Sequence, residues 1–229
     1  MRKLVIIPAY NEEGNLEKTI NDIKENAQEF DYIIINDCSR DNTLEMCRQK
    51  GFSYLNLPVN LGIGGAVQTG YRYAYYHGYD VAVQFDGDGQ HSAAYLTKMA
   101  DTMQETGADM VIGSRFIEKE GFQSSGLRRI GIRYFTGLIK LLTGARITDP
   151  TSGMRMVNRS LLKKFIDEYP KDYPEPESVV TVLSEKYKVI EIPVIMNERE
   201  EGVSSISLKN SVYYMIKVSF AILIARMKR

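Results

Sequence analysis

The chain has 229 residues, 44% of them hydrophobic and 25% charged, which fits one sizeable α/β domain, with or without a small appendage, and excludes a disordered chain. Lys plus Arg and Asp plus Glu balance at 29 each, so the basic surplus that non-specific nucleic-acid binding needs is absent. Two cysteines, Cys38 and Cys47, without C-x-x-C spacing, and two separated histidines, His77 and His91, exclude a disulfide framework, a zinc site and a histidine metal cluster.

Strand and helix signals alternate from the start. Residues 4–8 form an apolar run followed at once by polar residues, which reads as a buried strand and not as a signal peptide. Leu16, Ile20, Ile23 and Ala27 then recur at helical spacing. Residues 32–35 predict a second buried strand, 44–50 a short helix and 54–57 a weak third strand. A glycine-rich start (Gly62, Gly64, Gly65) opens a helix over 63–77. Strands over 80–85 and 110–113 flank a helix over 95–105. This rhythm predicts a mostly parallel sheet with helices on both faces. Further on, 127–142 mixes apolar residues with Arg128, Arg129, Arg133 and Lys140. A Pro/Asp/Tyr-rich stretch over 169–176 precedes a helix over 178–186 and a strand over 189–194. A long helical pattern runs from Ser207 to the end. No repeat, linker or low-complexity tract divides the chain, so the reading is a main domain over 1–206 and a C-terminal helix over 207–229.

In an open parallel sheet, ligands bind at the carboxyl ends of the strands. Three polar clusters fall there: Pro8-Ala9-Tyr10-Asn11-Glu12-Glu13, Asn36-Asp37-Cys38-Ser39 and Asp86-Gly87-Asp88-Gly89-Gln90. Asp86, Asp88 and Gln90 suit a hard divalent cation with oxygen ligands, one able to bridge the phosphates of a nucleotide diphosphate. A plain turn is the alternative for an isolated D-x-D, since Asp and Gly favour turns. Asn60-Leu61-Gly62-Ile63-Gly64-Gly65 fits neither a Walker loop nor a dinucleotide fingerprint. It faces a nucleotide or serves as a tight strand-to-helix turn.

These motifs, in this order, resemble family 2 glycosyltransferases: Pro8-Ala9-Tyr10-Asn11-Glu12, Asn36-Asp37-x-Ser39-x-Asp41-x-Thr43, Asn60-x-Gly62 and Asp86-x-Asp88-x-Gln90. The similarity continues through Gly113-Ser114-Arg115, Asp149-x-x-Ser152-Gly153-x-Arg155 and Arg199-x-x-Gly202-x-Ser204. It is nearest the polyprenyl-phosphate sugar synthases, including dolichyl-phosphate mannose synthases, and extends to bacterial members that decorate cell-surface polysaccharide. The resemblance implies a GT-A fold, Rossmann-like, with inversion at the anomeric carbon and Mg²⁺ or Mn²⁺ as cofactor. It implies that Pro8, Tyr10, Glu12, Ile35 and Asp37 hold base and ribose, with Asn60 and Gly62 in the same nucleotide-sugar site. Asp86 and Asp88 would hold diphosphate and metal, Asp88 in a catalytic role, with Gln90 completing the metal site. Arg155 and Arg199 would face phosphates, and Arg115, Arg128 and Arg133 the acceptor phosphate. Asn36 departs from the family's acidic pair. Ser205 stands where mannose synthases of this type often carry Lys, which leans the donor toward a UDP-sugar, UDP-N-acetylglucosamine or UDP-glucose.

Glu175 and Glu177 are the candidate bases. A hydroxyl acceptor needs one of them. A phosphate monoester, with its second pKa at about 6, does not, and the glutamates would then position the sugar or cap the following helix. The resemblance implies polyprenyl phosphate as acceptor, at the cytoplasmic face of the membrane. Transfer to a glycan hydroxyl, or a silent nucleotide-sugar-binding module, are the alternatives. No run offers the roughly 20 apolar residues of a span. Residues 212–225 are nearly apolar and end in Arg226, Lys228 and Arg229, and 127–142 is apolar and arginine-studded. Either segment packs in the core or lies in a membrane interface. A peripheral enzyme beside a small integral membrane protein is expected, with homo-oligomerisation left open.

Overall fold

In the computed structural model, which describes residues 1–118, 120–121, 126–197 and 208–227 (side chains of 127–128 and 208–214 excepted), seven strands form one sheet. They are β1 (Lys3–Ala9), β2 (Phe30–Asn36), β3 (Tyr54–Asn56), β4 (Val81–Gln84), β5 (Met110–Ser114), β6 (Arg155–Asn158) and β7 (Val189–Pro193). Their spatial order is β3-β2-β1-β4-β6-β5-β7, and β6 alone runs against its neighbours. The expected mostly parallel α/β fold is present. Leu4 to Ile7 in β1 have no exposed surface, as a central parallel strand covered on both faces requires.

Helices cover both faces. On one side lie α1 (Leu16–Asn26), α2 (Thr43–Gln49) and α4 (Leu96–Thr106), burying Ile20, Cys47 and Met99 against the sheet. On the other lie α3 (Gly62–Tyr76), α5 (Gly126–Thr143), α6 (Arg159–Phe165), α7 (Pro174–Ser184) and α8 (Leu208–Met227). The C-terminal helix α8 contributes Val218, Ile222 and Ala225 to that second core.

Two elements differ from the sequence reading. The strand β6 and helix α6 are not predicted from the sequence, because four residues of strand run directly into a helix, with Asn158 both ending the one and capping the other. Asn158 Oδ1 accepts the Leu161 N–H at 3.0 Å and caps α6. The helix α7 starts at Pro174, four residues earlier than expected. Proline is well tolerated in a first helical turn, where no intrahelical acceptor awaits its missing N–H. This shift carries Glu175 and Glu177 from a loop into the first turn of a helix.

Candidate active site

The order of the sheet decides where a ligand can sit. From β1 the chain builds outward through β2 and β3, then returns through α3 to place β4 on the other side of β1. The crevice between the carboxyl ends of β1 and β4 is therefore a switch point. One cleft lies there, lined by Pro8, Tyr10 and Glu12 after β1, Asp37 after β2, Asp86 and Asp88 after β4, and Glu175 from α7.

The rim loops are knitted to one another. Asn11 donates its backbone N–H to Ser39 Oγ (3.0 Å) and accepts the Arg40 N–H (2.8 Å). Glu12 donates its N–H to Thr43 Oγ1 (2.9 Å), and the Thr43 hydroxyl donates to Asp41 Oδ1 (2.6 Å). Ser39, Asp41 and Thr43 thus hold the first loop against the second. Asn36 has a local reason to be an amide: it donates Nδ2 to Asn56 Oδ1 at 2.6 Å, across a registered β2–β3 pair.

Asp37 is almost fully buried, and its Oδ1 accepts the Leu61 N–H at 2.7 Å. Asn60 donates Nδ2 to the Asp37 carbonyl (3.0 Å) and accepts the Gly62 N–H (3.2 Å). Gly62 has φ +73°, a left-handed turn that favours glycine. Asn60 and Gly62 therefore shape the entry to α3. Gly64 is a packing glycine, since a Cβ there would lie 2.3 Å from the carbonyl oxygens of Pro170 and Lys171.

Asp86 is hemmed in by three neighbours. Its backbone N–H donates to Nδ1 of buried His91 (3.0 Å), which leaves the ring hydrogen on Nε2, 3.7 Å from Asp86 Oδ2. The Gln84 amide donates to Asp86 Oδ1 at 3.3 Å. On the remaining side, a Cβ at Gly153 would lie 2.4 Å from Asp86 Oδ2. Asp88 Oδ1 accepts the Gln90 N–H (3.1 Å), and the Gln90 carbonyl accepts from Asn197 (2.9 Å), closing the turn. Sequence reasoning passed over Gln84 and His91 as site residues and named Gly153 only within the motif from Asp149 to Arg155. His91 had a signal in its place one residue after Gln90. The contact of Gly153 with Asp86 had none, because the two are remote in the chain.

Glu175 reaches the cleft from the first turn of α7. Burial pushes its carboxyl above the ordinary range, with Asp86 adding to the rise and Arg155 and a Gln84 hydrogen bond opposing it. Glu177 does not join it. Two residues along a helix is more than half a turn, and Glu177 lines a separate hollow with Glu168, Tyr169 and Ala225. Its expected catalytic place is corrected accordingly.

Three other expected contacts are also corrected. Ile35 has no exposed surface and lies in the core, since it points across the sheet and not along its rim. Arg155 is 1% exposed, and its guanidinium donates to the carbonyls of Pro150 (2.7 Å), Ser152 (2.6 Å) and Glu175 and to Ser178 Oγ (3.0 Å). It braces the floor beneath the cleft and offers no free fork to a phosphate. Arg115 is bidentate to buried Asp149 (2.7 and 2.8 Å) and also reaches Thr151 Oγ1 (3.1 Å), which withdraws it from any acceptor. Asp149 is itself oriented by Glu191, whose carboxylate accepts the N–H groups of Thr148 (2.7 Å) and Asp149 (2.9 Å). Arg133 is exposed on α5, outside the cleft. Arg199, Ser205 and the side chain of Arg128 lie outside the described residues.

Five carboxylates (Glu12, Asp37, Asp86, Asp88 and Glu175) line this one cleft. Such a site repels a diphosphate until a cation enters it. Asp86 and Asp88 fit a hard divalent ion. Among the described residues no three His, Cys, Asp or Glu gather round one point. The ion would draw its remaining oxygens from phosphate and water, as Mg²⁺ does at nucleotide sites.

Residues 4–166 match the family model described as Glycosyl transferase family 2. Polyprenol monophosphomannose synthase of Mycolicibacterium smegmatis is 29% identical over 229 residues, covering 95% of this chain and 86% of the relative. UDP-N-acetylglucosamine–dolichyl-phosphate N-acetylglucosaminyltransferase of Methanococcus voltae is 29% identical and covers 83% of each chain. Among solved structures, glucosyl-3-phosphoglycerate synthase of Mycobacterium tuberculosis, in complex with Mn²⁺, UDP-glucose and phosphoglyceric acid, superposes with a TM-score of 0.76 at 17% identity. It covers 98% of this chain and 79% of that one.

Proposed function

The chain belongs to glycosyl transferase family 2 and has the GT-A fold, and on that premise we propose that it transfers a sugar, with inversion, from a nucleoside-diphosphate donor to a polyprenyl phosphate at a membrane surface. The observation that carries the proposal is the carboxylate-lined cleft at the β1/β4 switch point, with Asp86 and Asp88 beside each other. Relatives of matching length named for polyprenol and dolichyl phosphate acceptors support the lipid. The donor is a UDP-sugar, UDP-N-acetylglucosamine before UDP-glucose. Ser205 in place of a lysine and the Methanococcus voltae relative support that choice. The product would serve cell-surface polysaccharide modification.

In this mechanism Pro8, Tyr10 and Glu12 wall the pocket for base and ribose, and Asp37, held by Leu61 and Asn60, fixes its depth. A bound Mg²⁺ or Mn²⁺, held by Asp86 and Asp88 beside Gln90, would neutralise the diphosphate as it leaves. An acceptor phosphate oxygen bonds to the anomeric carbon while the bond to the donor's β-phosphate oxygen breaks. The attacking acceptor oxygen is already anionic at neutral pH, so no base is required. Glu175 accepts sugar hydroxyls, and Arg199 is assigned to a phosphate.

Purified protein, labelled UDP- and GDP-sugars and undecaprenyl phosphate, with and without metal, test the proposal. Labelled lipid formed from a UDP-sugar only with metal is the expected result. Transfer to a water-soluble glycan with none to lipid phosphate overturns it. A hydroxyl acceptor is the second reading, favoured by one observation: Glu175 is a carboxyl in the cleft, placed to accept a proton, and burial raises its pKa above the ordinary value.

A further inference from the structure

The chain as a whole is neutral, but its charge is not spread evenly. The helix α5 carries four basic residues (Arg128, Arg129, Arg133, Lys140) and α8 three (Lys209, Lys217, Arg226), and neither contains an Asp or Glu. These two helices are neighbours: the Tyr134 hydroxyl meets Ser219 Oγ at 3.0 Å, and Arg226 Nε donates to the Leu142 carbonyl at 3.0 Å.

Both helices are also apolar on the side turned away from the core. In α8, Val218, Ile222 and Ala225 face inward, while Ile216, Phe220, Leu223, Ile224 and Met227 recur at helical spacing on the outside. Phe220 is 62% exposed and Met227 85%. In α5, Ile130, Tyr134 and Leu141 form a matching outer stripe, with Leu141 81% exposed. Exposed Arg129, Arg133 and Lys140 follow the same spacing one residue earlier, so a basic stripe runs beside the apolar one. The Tyr134–Ser219 bond joins the two apolar stripes into one face.

We propose that the joined outer faces of α5 and α8 dock the protein on an anionic lipid surface. Apolar side chains enter the acyl boundary while the flanking Arg and Lys reach headgroup phosphates. Charge decides among the possible occupants. A second copy of the chain would set one basic, acid-free face against another, whereas an anionic bilayer complements it. The placement also suits the cleft. Ala225 of α8 borders the same hollow as Glu177 and Ser178 of α7, the helix whose first turn delivers Glu175. The docking face uses no cleft residue, so it stands whichever acceptor is correct.

Flotation with phosphatidylcholine vesicles, with and without phosphatidylglycerol and lacking both polyprenyl phosphate and donor, tests the docking alone. The full chain should float with the anionic vesicles and be released by salt. F220E/I224E, both exposed positions, should stay in solution with an unchanged circular dichroism spectrum. R129Q/K140Q should bind anionic vesicles on the order of 30-fold more weakly, at roughly a fivefold loss per surface charge. A full chain that ignores anionic vesicles, or binds neutral ones equally well, overturns the proposal. So does a dimer that F220E/I224E converts to monomer without altering vesicle binding.

Discussion

The turn after β4 and the segment from Asp149 to Arg155 touch at Gly153, and both are dense in charge. In the turn, Asp86 and Asp88 line an open cleft, held by hydrogen bonds from backbone, Gln84 and Gln90 that leave room for a ligand. In the segment, Asp149 and Arg155 are buried and fully engaged, the one with Arg115 and the other with three carbonyls and a hydroxyl. The first region is built to meet something that arrives, and the second to fix the floor on which it arrives. Burial with complete hydrogen bonding separates a scaffold charge from a ligand charge, even when both belong to one family signature.

The comparison is broken most directly at its open end. Asp88→Ala should lower turnover about a thousand-fold, since metal-borne charge stabilisation is worth several kcal/mol and each tenfold costs about 1.4 kcal/mol. The melting temperature should hardly change, because Asp88 is not a core residue. Titration calorimetry with UDP and Mn²⁺ checks the binding half. Metal-dependent affinity equal to that of the parent chain would remove Asp88 from the site.

At the closed end the order of effects should reverse. Arg155→Met leaves the carbonyls of Pro150 and Ser152 without their donor, while Glu175 keeps the Ser178 hydroxyl, a loss of about 2–6 kcal/mol at about 1–3 kcal/mol per buried unmet group. At about 2–4 °C per kcal/mol for a chain of this size, the melting temperature should fall by roughly 10 °C. Differential scanning calorimetry measures it. A stable variant that had simply lost nucleotide affinity would return Arg155 to the phosphate role.

Where the regions meet, Gly153→Ala sharpens the contrast. A methyl group 2.4 Å from Asp86 Oδ2 must displace that carboxylate or the β6 turn. The expected result is a 10- to 100-fold loss of metal affinity, the usual scale when a group that orients a ligand is disturbed. Stability should suffer less than in Arg155→Met. Metal titration followed by turnover decides it, and parent-like affinity would show that Asp86 is not the group that must stay in place.

Much of this was legible in the sequence, for reasons specific to each element. The parallel strands announce themselves because Leu4 to Ile7 and Ile33 to Ile35 are buried on both faces, leaving unbroken apolar runs. The acidic rim is legible because strand ends and turn residues adjoin in the chain. The short β6 was not, since Arg155-Met156-Val157-Asn158 begins with a charged residue that becomes a core residue only through the carbonyls it binds at Pro150, Ser152 and Glu175. Ile35 and Glu177 were misplaced for a related reason. Each sits within two residues of a true cleft residue, but Ile35 lies inside β2 while Asp37 is past its end on the rim, and Glu177 is more than half a helical turn from Glu175.

The smallest expected effect concerns Glu175, which touches both regions: its carboxyl lines the cleft while its backbone carbonyl is held by Arg155. Burial first, then Asp86, raises its pKa above the ordinary value of 4.5. The folded chain therefore retains a proton there at pH values where the unfolded chain has released it. Stability from this group is complete below the unfolded pKa and is lost as pH rises through the folded one. Glu175→Gln keeps the shape and the neutral state, so it should flatten that decline and leave the variant slightly more stable than the parent near neutral pH. Denaturant melts across the acid-to-neutral range measure this, and a parallel decline in both proteins would mean that Glu175 carries no such shift. The same variant weighs the two acceptors. If lipid phosphate attacks, Glu175→Gln should retain most of its turnover, with a higher KM for the sugar donor and an unchanged pH profile above neutrality. A rate that collapses at neutral pH and recovers as pH rises would mark a lost general base, and with it a hydroxyl acceptor.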